Sequence, residues 1–271
     1  MTTDALTVEL DDEHQRLRQK LMATMRGFGA TAGLVEYVGA LRLYLRASYL
    51  LTVWLPDREQ RRAVAVDIAT HVVAMKLLDD LLDDDSGFDR FELALCLLLE
   101  QQSTARLAEK AGDPLRVLHE LESNFVTVGT GQLRTKREPA DDLTSWRRHA
   151  DTYGATFLGL YGTLAALAGR VPEAVEPANR FGRGFGMLVT IADDLRDYER
   201  HGERTGNLAH LILTGRVTVD ELHDLVEEMR QFARPTAGVP TVHDLGPLID
   251  LYADDVLHRG LPLLFSSAGA T

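Results

Sequence analysis

Apolar residues recur at three- and four-residue steps along almost the whole chain, and alternating β-branched runs are scarce, which is the period of helices rather than strands. The pattern predicts helices over 4–26, 33–54, 57–83, 88–111, 114–137, 142–169, 172–200, 218–233 and 243–262. The breaks fall on turn chemistry: Pro56-Asp57, Ser86-Gly87, Gly112-Asp113-Pro114, Pro139, Pro172, Gly202 and the run from Pro235 to Pro240. Thr218 with Glu221 three residues on reads as a capping box. Short connections make successive helices antiparallel. The expectation is therefore all-α: a single-domain antiparallel helix bundle over residues 1–271, with a peripheral N-terminal helix (1–30) and a linker (234–241) before the last helix.

Two stretches depart from ordinary amphipathic helix. Residues 63–82 are apolar nearly all round, and Asp67, His71, Asp79 and Asp83 stand out on roughly one ridge. A helix apolar on all sides is buried, so its polar ridge must face something other than bulk water. Residues 181–198 repeat the pattern: Arg183, Thr190, Asp193, Asp194 and Asp197 step through Phe185, Met187, Leu188, Val189 and Ile191. Each stretch carries two adjacent aspartates and a third, Asp79-Asp80…Asp83 and Asp193-Asp194…Asp197, with carboxylates at i and i+4 on one helix face. Buried carboxylates need a partner or a metal. Mg²⁺ takes oxygen ligands and keeps substrate phosphates in its shell, so two such walls suggest a metal-bridged diphosphate. A solvated acidic face is the plainer reading of either cluster alone and a much weaker one for the pair. Antiparallel packing predicts that 79–83, 132–137, 144–153 and 193–200 share one end, together with Arg134, Lys136, Arg137, Arg147, Arg148 and His149. Those cations either meet an anionic substrate or solvate a hairpin tip.

Small residues line two adjacent helices, Ala155, Gly159, Gly162 and Ala166 on one and Gly182, Gly184 and Gly186 on the next. Glycine weakens a helix by about 1 kcal/mol per residue, so they need a reason: close helix packing, or room for a bulky apolar chain. The composition, 45% hydrophobic and 26% charged, is that of an ordinary globular protein. A net charge of −12 without a basic stripe argues against nucleic acid. It leaves an anionic substrate open, because bound Mg²⁺ inverts the local electrostatics. The one cysteine, Cys96, sits in an apolar run and reads as core. No stretch approaches the ~18–20 apolar residues of a membrane span, and the N-terminus lacks a signal pattern. The expected location is the cytoplasm, with no transmembrane segment and with transient contact at a membrane surface through a lipid substrate.

The paired DDxxD motifs in an all-helical chain resemble the trans-isoprenyl diphosphate synthase family. Gly131-Gln132 follows the first motif as in that family, and Thr205-Gly206-Asn207-Leu208 follows the second where the family has Gly-x-Asp-Leu. The resemblance implies a bundle of the isoprenyl diphosphate synthase type with a central apolar cavity, and a symmetric homodimer. It implies Asp79, Asp80, Asp83, Asp193, Asp194 and Asp197 as catalytic ligands of Mg²⁺. The departures lie on the acceptor side. The family's Gly-Gly-Lys-Arg-x-Arg corresponds to Gly39-Ala40-Leu41-Arg42-Leu43-Tyr44, its Arg-Arg-Gly after the first motif is missing, and its Lys-Thr corresponds to Tyr153-Gly154. The donor site is kept, and a different acceptor is implied.

A narrower resemblance runs over roughly 36–258, carried by segments such as ALRLYLRASYLLTVW, MKLLDDLLDDDSGFDRFELA, RRHADTYGATFLGLYG and ADDLRDYERHGERTGNLAH. These are similar to the prenyltransferases of moenomycin-type phosphoglycolipid biosynthesis. What this implies is transfer of a geranyl group from geranyl diphosphate to a farnesyl-phosphoglycerate (prenyl-phosphoglycerate) lipid, head-to-middle, in antibiotic biosynthesis. On that reading Arg134, Lys136 and Arg147 meet the phosphoglycerate head, since arginine presents a bidentate fork to such groups. Tyr153 and Phe157 are among the rings that face a carbocation, and the modest size of Ala74 and Met75 one turn below Asp79 leaves a long apolar tunnel. Arg42, Gln132 and Thr190 complete the substrate candidates. The rival readings are a head-to-tail isoprenyl diphosphate synthase, a class I terpene cyclase, and a non-catalytic regulatory subunit. Asp197 and His201 stand where a cyclase would have Ser or Thr and Glu, and both motifs are intact, against the regulatory subunit.

Overall fold

The computed structural model describes residues 3–82, 92–234, 239, 241–262 and 264, and among them every regular element is helical. The long helices form where the apolar period predicts them: α1 (Thr3–Gly27), α4 (Arg58–Leu82), α5 (Glu92–Lys110), α6 (Pro114–Arg137), α9 (Val175–His201) and α11 (Val219–Ala233). The Thr218/Glu221 capping box is present, and Asp142 with Ser145 forms a second one.

The expected helix 33–54 is instead α2 (Ala32–Ala40) and α3 (Arg42–Leu50), separated at Leu41. The cause is tertiary: Arg18 Nε donates to the Gly39 carbonyl at 3.0 Å, diverting an acceptor from the helix ladder. The expected 142–169 is α7 (Leu143–Ala150), a π-helical turn (Asp151–Ala155) and α8 (Thr156–Ala168). At the turn, Thr156 Oγ1 donates to the Asp151 carbonyl five residues back at 2.7 Å. A short helix α10 (Leu208–Leu213), absent from the sequence reading, is capped by the Asn207 side chain, and the last helix comprises α12 (Gly246–Asp255) and a π turn (Val256–Gly260).

The single all-helical chain is divided internally into two compact units. The first comprises Met1–His119, Thr163–Val175 and Pro240–His243. In it α1, expected to be peripheral, sends Leu17, Leu21 and Met25 into the interior and packs on α2, α3 and α4. Val64, Ile68, Val72, Val73 and Ala74 of α4 are buried, as the all-round apolar pattern requires. Lys110 of α5 pairs with the buried Asp67 of α4.

The second unit comprises Glu120–Gly162, Glu176–Val239 and Asp244–Thr271. Here the small residues serve close helix packing. A Cβ on Gly162 would lie 2.2 Å from the Ala178 carbonyl oxygen, one on Gly182 2.4 Å from that of Leu158, and one on Gly186 2.7 Å from that of Gly154. The backbones of α8 and α9 touch through these positions, so the glycines leave no room for an apolar ligand there. Phe185 stacks on Phe181 and meets Tyr252 edge-on at 4.9 Å between centroids.

Candidate functional site

The last turns of α4 carry Asp79 and Asp80. Asp80 is buried, at 5% exposure, and each of its oxygens meets a protein donor. Lys76, one turn back, places Nζ 2.7 Å from Asp80 Oδ1 and 3.2 Å from Asp79 Oδ2. The Tyr37 hydroxyl of α2 donates to Asp80 Oδ2. Burial and this hydrogen bond push the Tyr37 pKa well above its usual range. Burial alone would lower the pKa of Lys76, but its hydrogen bond to Asp80 and the neighbouring carboxylates raise it, so the ammonium stays charged. Asp79 keeps about a third of its side chain exposed (32%). Asp83 lies outside the described residues. Beneath Asp79, Met75 is partly buried and Ala74 fully so. His71 is buried, which drives its pKa down to about 4. Burial holds Cys96 up at about 11, as a core thiol. Arg42 is bonded to Asp11 at 3.2 Å on the surface of this unit, so the acceptor-side candidate is engaged with an acid.

In the second unit α9 carries Asp193, Asp194 and Asp197. Asp194, like Asp80, takes donors from the protein, but both fall on one oxygen. Its Oδ2 accepts from Trp146 Nε1 of α7 at 2.8 Å and from the Leu208 amide at the start of α10 at 2.7 Å. Asn207 Nδ2 donates to the Asp194 carbonyl at 2.9 Å. Part of the residue's surface is open, yet its carboxylate is enclosed, and that burial outweighs both hydrogen bonds and pushes the pKa up to about 7. Asp193 pairs with Arg196 at 2.6 Å, both on the exposed side. Asp197, one turn on, is partly buried.

Thr190 lies one turn before these aspartates and is committed to packing. Its Oγ1 donates to the Gly186 carbonyl at 3.0 Å, and a Cβ on Gly154 would meet that oxygen at 2.1 Å. Tyr153 and Gly154 sit in the π turn, a feature that often re-aims residues at functional sites. Phe157 meets the fully buried Tyr161 edge-on at 4.9 Å. Gln132 is partly buried on α6, while Arg134 and Lys136 are exposed. Arg147, the third candidate for an anionic head group, makes a two-pronged ion pair with Glu228 of α11. Arg147 and Glu228 line a cleft of about 210 Å³ with Asp151 and Arg183, which are themselves paired at 2.6 Å.

The sequence reading missed Lys76, Tyr37 and Trp146, whereas Leu208 closes the Thr205–Leu208 stretch that it singled out. Lys76 was legible, standing three and four residues before the acids on the same helix. The others arrive from separate elements and left no local signal.

No family model matches the chain, and no curated protein has a matching sequence. Solved structures do match. A geranylgeranyl pyrophosphate synthetase from the archaeon Geoglobus acetivorans superposes with a TM-score of 0.57 at 17% identity, over 97% of this chain and 91% of that one. A T. brucei farnesyl pyrophosphate synthase gives 0.50 at 13% identity, over 97% and 92%. The fold is that of the isoprenyl diphosphate synthases. The shared property at such identities is the architecture.

On this isoprenyl diphosphate synthase fold, no three Asp, Glu, His or Cys side chains among the described residues come together closely enough to hold an ion by themselves. The donor set suits Mg²⁺ nonetheless. That ion commonly takes one or two carboxylates and completes its shell with water and substrate phosphate. Asp79 in the first unit, and Asp193 and Asp197 in the second, each keep part of the residue open. Asp80 and Asp194 are spoken for by protein donors. Among the described residues no helix is long and apolar enough to cross a membrane.

Proposed function

We propose that this protein is a Mg²⁺-dependent prenyltransferase that ionises an allylic prenyl diphosphate and joins the prenyl group to an alkene acceptor. The observation that carries the reading is the matched construction of the two motifs. In each, the carboxylate of the second aspartate is enclosed and tied by protein donors, Asp80 by Tyr37 of α2 and by Lys76 of its own helix, Asp194 by Trp146 of α7 and the Leu208 amide. The fold, shared with proteins named as geranylgeranyl and farnesyl pyrophosphate synthases, supports it.

On this reading the metal ligands would be drawn from Asp79, Asp83, Asp193 and Asp197, while Asp80 and Asp194 would brace α4 and α9. Bound Mg²⁺ supplies charge that stabilises the departing diphosphate. Tyr153 and Phe157 offer ring faces to the allylic cation, a contact worth up to about 2 kcal/mol when desolvated. The prenyl chain would run past Met75 and Ala74 beneath Asp79, neither of them a ring. Attack by the acceptor alkene forms the carbon–carbon bond, and the proton lost from the adduct goes to the released diphosphate.

The acceptor divides two readings. Arg42 is engaged with Asp11, and the basic acceptor motifs of the head-to-tail synthases are missing from the sequence. This supports a prenyl-phosphoglycerate lipid in place of isopentenyl diphosphate, with geranyl diphosphate as donor and coupling head-to-middle. Arg134, Lys136 and Arg147 are the head-group candidates, the last of them paired with Glu228 in the absence of a ligand. The names of the solved neighbours favour the head-to-tail reading. Purified protein with Mg²⁺ and geranyl diphosphate, offered isopentenyl diphosphate or farnesyl-phosphoglycerate, separates them by which co-substrate is consumed. Diphosphate release with neither acceptor consumed and a cyclic product formed indicates a terpene cyclase. No diphosphate release under any condition refutes the enzyme.

The chain is further proposed to act as a homodimer in the cytoplasm, meeting membranes only through its lipid substrate. Leu115, Leu118, Phe125, Val126 and Leu133 are exposed along one stripe of α6. A stripe of that length suits a symmetric partner.

A further inference from the structure

Lys76 is an anomaly on α4. It sits among residues 63–82, a stretch otherwise apolar nearly all round, with only 25% of its side chain exposed. A largely buried ammonium is costly unless it is paired, and its partners are Asp79 and Asp80 themselves, at 3.2 and 2.7 Å. Tyr37 covers the remaining oxygen of Asp80. Among the described residues the ammonium faces two carboxylates and the phenol rings of Tyr37 and Tyr44. The first motif, whose spacing suits a divalent ion, already contains a fixed positive charge supplied by its own helix.

We propose that Lys76 is the resident cation of the first aspartate wall, and that it makes divalent-ion loading at Asp79 conditional on a diphosphate. A fixed ammonium beside Asp79 repels a divalent ion and neutralises part of the charge that would attract it. A diphosphate restores the negative charge and adds oxygen ligands, so the ion and the anion enter together. The ammonium has three donors. Two are directed at Asp79 and Asp80. This inference rests on the prenyl-donor reading and assigns that site an order of loading.

The test follows Mn²⁺ binding by electron paramagnetic resonance, with inorganic pyrophosphate as the anion and its own Mn²⁺ affinity accounted for. Lys76→Gln keeps a donor for Asp80 and removes the charge. Without pyrophosphate it is expected to bind Mn²⁺ at least tenfold more tightly than the natural protein, whereas Lys76→Arg stays at the natural affinity. Asp79→Asn added to Lys76→Gln abolishes the gain. An independent arm needs no Lys76 variant: Asp79→Asn alone reduces the pyrophosphate-dependent increment, the share of Asp193 and Asp197 remaining, with no loss of pyrophosphate-free binding. The proposal is overturned if Lys76→Gln gains nothing, if Lys76→Arg gains as much, or if Asp79→Asn weakens binding in the absence of pyrophosphate. Should no form of the protein take up extra Mn²⁺ with pyrophosphate, the donor-site reading itself fails. An intact pyrophosphate response without the Lys76→Gln gain sinks only the role of Lys76.

Discussion

The indole N–H of Trp146 donates to the carboxylate of Asp194 at 2.8 Å, and the same oxygen accepts the Leu208 amide at 2.7 Å. One acid therefore ties α7, α9 and the start of α10 together. Trp146→Phe keeps the ring but removes the donor, leaving a buried carboxylate short of a partner at a cost of about 1–3 kcal/mol. Asp194→Asn keeps an acceptor for both donors and is expected to stay folded. Urea unfolding of the two variants checks this, and a Trp146→Phe protein as stable as the natural one would show that the bond contributes nothing.

Two buried groups give the stability opposite pH dependences. Burial raises the Asp194 pKa to about 7 in the folded protein, from the 3.8 of a free aspartate. Between those values the folded state keeps a proton that the unfolded chain has released, so this group's contribution is present at low pH and lost as pH rises through 7. His71 sits at about 4 when folded against 6.5. Burial overrides Glu100, 3.9 Å away, and stability is lost as pH falls from 6.5 towards 4. The two slopes offset each other in the natural protein. In metal-free buffer, Asp194→Asn is expected to lose stability more steeply on acidification over that window. His71→Gln is expected to gain it. Parallel curves for all three proteins would contradict both assignments.

The aspartates stood out in the sequence because a helix period predicts where they lie relative to their own neighbours. What holds them did not. Tyr37 reaches Asp80 across 43 residues and Trp146 reaches Asp194 across 48, and neither partner belongs to a pattern with its acid. The break at Leu41 escaped notice for the same reason, since it follows from Arg18 of α1 taking the Gly39 carbonyl. The π turn at 151–155 lies inside an uninterrupted apolar period. The glycines of α8 and α9 were visible as a stripe, but only the neighbouring carbonyls decide between tight packing and a cavity.

That packing is directly testable. Gly162→Ala places a methyl 2.2 Å from the Ala178 carbonyl oxygen, a backbone atom with little freedom to yield. Overpacking of this kind costs typically 1–3 kcal/mol. Gly129 on α6 has nothing within 4 Å of the corresponding position, so Gly129→Ala is expected to be neutral or to stabilise by roughly 0.5–1 kcal/mol through helix propensity. Thermal unfolding of the pair distinguishes a glycine needed for contact from one that is merely tolerated. Equal effects in both would mean that the α8–α9 crossing is looser than its backbone distances imply.

The two positions within each aspartate pair are expected to fail differently. Asp79 and Asp193 present carboxylates on the exposed side, where an ion and a diphosphate can reach them. Asp79→Asn and Asp193→Asn are therefore expected to lower prenyl diphosphate ionisation by about 10²–10³-fold, the scale of losing a group that stabilises developing charge, with unfolding midpoints nearly unchanged. Asp80 lies between Lys76 and Tyr37, so Asp80→Ala leaves a largely buried ammonium without its closest partner, at 2.7 Å. Breaking a buried pair from one side costs about 3–5 kcal/mol, and this variant is expected to lose stability first and activity with it. Asp80→Asn retains an acceptor for Tyr37 and recovers part of that stability. Measuring diphosphate release and urea midpoints together separates the roles. A fully stable Asp80→Ala protein with the same loss of ionisation as Asp79→Asn would place Asp80 among the metal ligands and overturn the division of labour within the motif.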